Sequence, residues 1–165
     1  MVALTVDADD AKLAAIVEDV APDMIQLHGK ESPERTARIR EITGRPVVKA
    51  ISIAEAGDVA KADAYHGVAD LILFDAKPPR LATRPGGNGR SFDWTLLAGV
   101  KDRMDFALSG GLTSDNVAEA IAATAPVLVD VSSGVEIAPG QKDAVLIRRF
   151  VAAVRAPILE GAAHG

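Results

Sequence analysis

Residues 106–112 (FALSGGL) and 127–136 (VLVDVSSGVE) decide the fold that the sequence predicts. Each begins as a short apolar, β-rich run and ends in small residues. Glycine lets a backbone approach a ligand closely, and the free N–H groups at the start of a helix attract anions. Two such turns in succession, late in a chain of alternating strands and helices, are typical of the phosphate site of a (β/α)₈ barrel. The pattern therefore predicts a substrate that carries a phosphate group.

Composition narrows the class of protein. The chain has 165 residues, no cysteine and a formal net charge of −5, with 48% hydrophobic and 4% aromatic residues. This length predicts one domain with a largely aliphatic core. The acidic balance and the scarcity of aromatic residues argue against nucleic-acid binding, and no apolar run is long enough to span a bilayer. Without cysteine, disulfides and thiolate metal sites are excluded, and we expect a cytoplasmic protein.

Outward from the two glycine turns, strands and helices alternate along the chain. Strands are predicted at residues 2–6, 23–28, 46–51, 70–74, 105–108 and 127–131. Helices are predicted at residues 9–20, 32–42, 54–65, 92–97, 114–123 and 143–154. In the second helix, Ser32 is the expected N-cap and Gly44 the expected stop. Strands separated by helices are expected to pair in parallel through right-handed crossovers.

These six βα units suit either an open doubly wound sheet or a closed barrel. An open sheet usually carries its glycine-rich ligand turn after the first strand. Here the glycine turns follow the last two strands, which favours the barrel. A complete barrel has eight units and rarely runs below about 200 residues. The sequence therefore predicts an incomplete (β/α)₈ barrel over residues 1–156, followed by a C-terminal tail over residues 157–165.

Short motifs are spread over nearly the whole chain. They are QLHGKE at 26–31, LFD at 73–75, GGNG at 86–89 with FDW at 92–94, SGGL at 109–112, NV at 116–117, and VDVSSGVE at 129–136 with PGQKD at 139–143. In order and spacing this set resembles the phosphoribosylanthranilate isomerases of tryptophan biosynthesis. The resemblance begins at the family's third strand. Its first two βα units, with a Lys-Ile-Cys-Gly and a Ser-Pro-Arg motif, have no counterpart among these residues.

The resemblance implies an Amadori rearrangement, in which an N-linked ribosyl amine becomes a 1-amino-ketose. A general acid protonates the furanose ring oxygen, a general base removes the C2 proton, and the enolamine tautomerises to the ketone. No metal or redox cofactor is implied, because the substrate's own nitrogen is the electron sink. The family's acid maps onto Asp75, although the position alone also suits a residue that caps a loop turn. The family's base is a cysteine on the first strand, and this sequence contains none.

The resemblance also implies residues that contact the substrate. Asp130, at the end of the last predicted strand, is implied to position the sugar or its amine, with a structural carboxylate holding the turn at 132–133 as the alternative. His28 is implied to face the anthranilate or the ribose, and Gln26 points to the same side because side chains alternate along a strand. A lone histidine at a strand end also suits a structural role. Lys49 lies in a predicted buried strand and points either to the barrel mouth or to an edge.

The backbone of the two glycine turns is expected to bind the phosphate through its N–H groups. The residues are Gly110, Gly111, Ser132, Ser133 and Gly134. Two tight turns without a ligand are the alternative. Residues 77–90 form a long polar loop that is a candidate lid over the aromatic ring.

Two functions of different classes remain open on the sequence. One is the isomerase, acting on a phosphorylated small molecule without nucleic acid or membrane partners. The other is a non-catalytic barrel fragment that binds phosphate or needs a complementing partner. An unclosed sheet exposes two edges and an apolar face, so we expect self-association. An indole-glycerol-phosphate synthase fits less well, because its chemistry uses Lys and Glu at several strand ends and only Lys49 is well placed.

Overall fold

The computed structural model describes residues 1–76 and 92–162, with side chains described for residues 1–76 and 92–156. The chain forms two compact units, Met1–Phe74 and Asp75–Gly165. The candidate lid at residues 77–90 and the GGNG motif lie outside the described residues. The expectation of a single domain over residues 1–156 stays a prediction.

The first unit alternates strands with helices, as the sequence predicts. Its elements are β1 (Val2–Thr5), α1 (Asp10–Val20), β2 (Met24–Leu27), α2 (Pro33–Thr43), β3 (Val47–Ile53), α3 (Ala56–Val59), a 3₁₀ helix (Ala60–Tyr65) and most of β4 (Leu71–Ala76). β1 pairs in parallel with β2, and β2 pairs in parallel with β3. The N–H of Asp70, just before β4, donates to the carbonyl oxygen of Val47 in β3 at 2.9 Å.

Local signals set the ends of the first two helices. α2 begins after Ser32, whose hydroxyl accepts a hydrogen bond from the N–H of Arg35 at 3.2 Å. It ends at Gly44, whose φ of 60° lies in the left-handed region that favours glycine. Asp9 caps α1 in the same way as Ser32 caps α2. The expected cap and stop of α2 are both confirmed.

The register of the first three strands fixes which side chains share a face. Gln26 pairs with Val48, and Leu27 pairs with Lys49. Paired residues of neighbouring parallel strands point the same way, and successive residues of one strand point to opposite faces. Gln26 and His28 therefore point to one face of the sheet, and Leu27 and Lys49 point to the other.

An aliphatic core packs the sheet of the first unit against α1 and α2. Its central residues have no exposed surface and are Leu13, Ile25, Leu27, Ile39 and Val47. Burying one such side chain stabilises a fold by about 1.5–3 kcal/mol relative to leaving it in water. This core packs β2 in place, and Gln26 and His28 lie at and just after the end of that strand.

The second unit contains the two glycine turns. Its elements are the end of β4, 3₁₀ helices at Trp94–Leu97 and Val100–Asp102, β5 (Phe106–Leu108), α4 (Val117–Thr124), β6 (Leu128–Val129), a 3₁₀ helix at Ser133–Val135, β7 (Glu136–Ala138), β8 (Gln141–Lys142) and α5 (Ala144–Ala162). β5 pairs in parallel with β6, with Leu108 opposite Val129. The chain thus has six parallel strands, β1 to β6, in an α/β fold.

The hairpin of β7 and β8 is absent from the sequence-based prediction. The two strands are antiparallel, with Glu136 opposite Lys142. Gly140 lies in the turn with a φ of 80°, and the Pro139–Gly140 pair is an ordinary turn signal. The hairpin is too short to show a clear alternation of apolar and polar residues, so only this turn signal points to it.

Four helix predictions differ from the structure. The helix predicted over residues 54–65 is one α-helical turn followed by a 3₁₀ helix, and the helix predicted over 92–97 is 3₁₀ over Trp94–Leu97. α4 begins at Val117 rather than at residue 114. α5 continues past Pro157 to Ala162, where a tail was expected. A single proline removes one backbone hydrogen bond, and the helix formers on either side of it continue the helix.

Within residues 1–76 and 92–162, no helix combines the length and the apolar character needed to cross a membrane.

Candidate active site

Asp75 lies at the carboxyl end of β4 in the second unit. Only 3% of its surface is exposed, and Phe74 and Ala76 on either side are also buried. Side chains at the carboxyl ends of parallel strands line the ligand sites of α/β enzymes. The structure therefore puts Asp75 where the sequence expected it.

The first glycine turn, which we call the first corner (residues 109–112), follows β5 directly. Gly110 and Gly111 have φ values of 91° and 66°, which are strained for any residue with a side chain. A Cβ on Gly110 would overlap the backbone nitrogen of Ala76 and lie 2.6 Å from its Cβ. The first corner thus packs against the residue that follows Asp75.

The second glycine turn, the second corner (residues 132–134), meets the first. A Cβ on Gly134 would overlap the carbonyl oxygen of Leu112 and lie 3.1 Å from Cγ2 of Val131. The absence of a side chain at Gly134 is therefore what lets the two corners touch. The sequence predicted that they lie together, and the structure brings them together.

Asp130 links the two corners. Its Oδ2 accepts a hydrogen bond from the hydroxyl of Ser109 at 3.1 Å, and its backbone N–H donates to the carbonyl oxygen of Leu108 at 2.9 Å. The structural alternative considered for Asp130 was a bond to its own turn at residues 132–133. The side-chain contact goes instead to the first corner, on the neighbouring strand.

Two residues that hold the corners lie in the quoted motifs, but the sequence predicted no role for them. Nδ2 of Asn116 donates to the carbonyl oxygen of Gly111 at 3.0 Å. Nζ of Lys142 donates to the carbonyl oxygen of Ser132 at 2.8 Å, to its hydroxyl at 3.2 Å and to Oε1 of Glu136 at 2.8 Å. The Pro139–Gly140 turn, which folds β8 back toward the second corner, is the signal that would have found Lys142.

Gln26 and His28 lie in the first unit and share a face, as predicted. Nε2 of Gln26 is 3.1 Å from Nδ1 of His28. An amide nitrogen donates, so Nδ1 of His28 is the acceptor in this contact. The contact with Gln26 thus orients the ring of His28.

Lys49 does not point to the face that Gln26 and His28 share. It lies on the opposite face, where its side chain is 3% exposed and Nζ forms an ion pair with Oε2 of Glu31 at 2.7 Å. Lys49 is therefore not an exposed edge charge. The side chain of Glu31, only 2% exposed, is a partner that the sequence did not suggest.

Glu31 is a strongly held carboxylate. Oε1 accepts from the N–H of Asp7 at 2.8 Å, and Oε2 accepts from the N–H of Gly29 at 3.0 Å. Burial alone would raise the pKa of Glu31, but the hydrogen bonds from Lys49 and Asp7 outweigh it and hold the pKa below its ordinary value.

Acid is expected to weaken the fold through Glu31. Because its pKa is lowered on folding, its contribution is complete above the unfolded value of about 4.3 and is lost as the pH falls through the folded value. We expect the urea midpoint to fall less between pH 7 and pH 3 in Glu31→Gln than in the wild type. Equal losses in the two proteins would contradict the expectation.

The candidate side chains are divided between the two compact units. Gln26 and His28 belong to the first unit, and Asp75, Asp130 and both corners belong to the second. Within residues 1–76 and 92–162 no three His, Asp or Glu side chains are grouped as metal ligands. In the second unit, the residue after the buried Asp75 packs against the first corner, and the first corner touches the second.

A family model described as N-(5′-phosphoribosyl)anthranilate (PRA) isomerase matches residues 1–153. The N-(5′-phosphoribosyl)anthranilate isomerase of Rhodopseudomonas palustris strain BisA53 is 58% identical over 156 residues, which are 94% of this chain and 72% of the relative. The same enzyme of Brucella canis is 56% identical over 153 residues, or 93% of this chain and 69% of the relative.

Solved structures of phosphoribosyl anthranilate isomerases are also similar to this chain. The phosphoribosyl anthranilate isomerase of Thermotoga maritima matches with a TM-score of 0.82 at 36% identity, over 93% of this chain and 72% of that chain. A phosphoribosyl anthranilate isomerase solved in complex with reduced 1-(o-carboxyphenylamino)-1-deoxyribulose 5-phosphate matches with a TM-score of 0.78 at 33% identity, over 93% of this chain and 70% of that chain.

Proposed function

Because this chain belongs to the family of N-(5′-phosphoribosyl)anthranilate isomerases, enzymes of tryptophan biosynthesis, we propose that its residues serve the rearrangement of N-(5-phosphoribosyl)anthranilate to 1-(2-carboxyphenylamino)-1-deoxyribulose 5-phosphate. The single observation that carries the assignment of roles is the contact between the two corners beside the end of β4. It supports one anion site next to one buried acid.

The two corners bind the phosphate of the substrate in this proposal. Gly110 and Gly111 have left-handed backbones, and successive N–H groups in such turns form concave sites for anions. Asn116 and Lys142 hold the two corners through the carbonyl oxygens of Gly111 and Ser132. With their carbonyl oxygens bound elsewhere, the corners bind an anion through N–H groups at little cost in reorganisation.

Asp75 is the general acid in this proposal. Its carboxyl group gives a proton to the furanose ring oxygen, the C1–O bond breaks, and the substrate nitrogen carries the positive charge as an iminium. A base then takes the C2 proton, the C2–H electron pair forms a C1=C2 bond while the C1=N bond becomes a C1–N single bond, and the enolamine tautomerises to the ketone. The burial of Asp75 next to the first corner supports this role, because a phosphate held there brings the sugar to the acid.

The base is the part of the reaction that these residues do not supply. The family's cysteine has no counterpart, because the sequence contains no cysteine. Asp130 is a poor replacement, since its carboxylate already accepts from Ser109; we assign it to positioning the sugar or its amine. Gln26 and His28 are assigned to the anthranilate or the ribose.

We also propose that the six strands correspond to strands three to eight of a (β/α)₈ barrel. The T. maritima match, over 93% of this chain and 72% of that chain, supports this correspondence. β1 pairs with β2 and leaves Val2 50% and Leu4 58% exposed. An apolar strand of this kind favours self-association, which is the partner interaction that we propose beside the phosphorylated substrate.

A glycine substitution at the second corner tests the phosphate site. We expect Gly134→Ala to weaken binding of reduced 1-(o-carboxyphenylamino)-1-deoxyribulose 5-phosphate and of inorganic phosphate by about 10- to 100-fold, the size expected for losing one or two charge-assisted hydrogen bonds. The added methyl group would overlap the carbonyl oxygen of Leu112 and separate the corners. Isothermal titration calorimetry of the folded variant gives both affinities.

The matched control is Gly57→Ala in α3. A Cβ there meets nothing within 4 Å, and alanine is the better helix former, so binding is expected to stay unchanged. Equal affinities for Gly134→Ala and the wild type would overturn the assignment of the corners. The circular dichroism spectrum identifies a variant that has merely unfolded.

A further inference from the structure

We infer that Lys49 and Glu31 are positioning residues for His28: their buried ion pair holds the backbone on both sides of the imidazole. The inference deepens the proposed function and rests on the assignment of His28 to the substrate. Lys49 itself points away from the face that carries His28, so it acts through the backbone and not by contact with a ligand.

The three donors of the Lys49 ammonium group converge on one short segment. Nζ donates to the carbonyl oxygen of Gly29 at 2.8 Å, to that of Leu27 at 3.4 Å and to Oε2 of Glu31 at 2.7 Å. Leu27 and Gly29 are the two neighbours of His28. A lysine ammonium group has three N–H bonds, so this arrangement uses all of them.

Glu31 closes the arrangement from the other side. Its carboxylate accepts from the N–H of Gly29 and from the N–H of Asp7, the residue at which the chain turns after β1. Asp7 in turn accepts from the N–H of Lys30 through Oδ1 at 2.7 Å. The ion pair thus ties together the chain after β1, the chain after β2, and β3.

The backbone at Gly29 is closely packed against Asp7. A Cβ on Gly29 would overlap Oδ1 of Asp7 and lie 2.8 Å from its backbone nitrogen. His28 is fixed at a third point, because its N–H donates to the carbonyl oxygen of Thr5 at 2.8 Å. The backbone of His28 is therefore set from β1, β3 and Glu31, and its ring is set by Gln26.

A buried ion pair adds little net stability to a folded protein. Replacing such a pair by neutral side chains of similar size is often neutral or stabilising, whereas removing one partner leaves an uncompensated charge. A double substitution therefore separates stability from positioning. Lys49→Met with Glu31→Gln removes both charges and the hydrogen bonds to Leu27 and Gly29, while keeping the volume of both side chains.

The experiment measures His28 directly. The chain has three histidines, so ¹⁵N-histidine labelling gives three sets of ring signals, and His28→Gln identifies one of them. We expect the double variant to shift the ring nitrogen signals of His28 and to leave those of His66 unchanged. It is also expected to bind reduced 1-(o-carboxyphenylamino)-1-deoxyribulose 5-phosphate about 10-fold more weakly, as a misplaced contact group would.

The matched control is Arg40→Met with Asp70→Asn. This removes another ion pair of the first unit, with 2.7 Å between Nη2 and Oδ1, that has no hydrogen bond to Leu27, His28 or Gly29 among the described residues. We expect its His28 signals and its affinity to match the wild type. A folded Lys49/Glu31 double variant with unchanged His28 signals and affinity would overturn the inference. If the wild type does not bind the analogue, the proposed function fails, and the His28 signals alone decide the positioning role.

Discussion

A polypeptide of these 165 residues is expected to rearrange N-(5-phosphoribosyl)anthranilate about 10²- to 10⁴-fold more slowly than its R. palustris relative. The sequence contains no cysteine, and the resemblance implies that the family's base is a cysteine. Positioned general bases contribute a factor of this size, and a replacement base must lie within hydrogen-bond reach of the proton. The measurement is the steady-state conversion of substrate by the purified chain and by the relative, under identical conditions.

The control for this loss is a hybrid in which the family's cysteine-bearing first two βα units are joined in front of Met1. We expect the hybrid to recover turnover, and its variant with that cysteine changed to serine to lose it again. A rate for the 165-residue polypeptide within tenfold of the relative's would show that another group serves as the base. Asp130 is then the first residue to substitute, because it is the other candidate carboxylate beside the corners.

The second large effect is expected from replacing Asp75, the proposed general acid. In the active hybrid, Asp75→Asn is expected to lower kcat by about 10²- to 10⁴-fold, because the amide cannot protonate the ring oxygen. Affinity for the reduced analogue is expected to change less than about threefold, since in the proposed function the phosphate contacts come from the two corners. Single-turnover kinetics and calorimetry on the same preparation separate the two quantities.

Asp70→Asn is the matched control next to the same strand. Asp70 accepts from the N–H of Val47 at 2.8 Å and from Arg40 at 2.7 Å, so it holds the start of β4 and takes no part in the proposed chemistry. We expect this variant to lose stability and to keep kcat. Full activity in Asp75→Asn, or an equal fall of kcat in both variants, would remove the assignment of Asp75 as the acid.

Much of the fold could be predicted because its signals are local. The cap at Ser32 and the stop at Gly44 depend on residues within one turn of the helix, and the six strands are β-rich runs between helical segments. The prediction over residues 54–65 was wrong for a physical reason. The carboxylate of Asp58 accepts from the N–H groups of Ala54 and Glu55, and the chain continues as a 3₁₀ helix that its composition does not distinguish from an α-helix.

Some parts of the candidate site could be predicted from local signals, and others could not. Glycines that follow β-rich runs indicated both corners before their contact was visible, because a close backbone approach requires glycine. The partners of the functional groups were not predictable. Glu31 lies 18 positions from Lys49 in the chain, and no periodicity joins them. Lys142 reaches Ser132 only because of a hairpin that has a single turn signal.

The contact of Lys142 with the second corner has a consequence for how this region can evolve. Lys142 holds Ser132 from the far strand of the hairpin, and the next residue, Asp143, accepts from the N–H groups of Val145 and Leu146 where α5 begins. The reach of one side chain thus fixes the number of residues between corner and helix. A single insertion or deletion in this stretch is therefore expected to move the ammonium group off the turn that it supports.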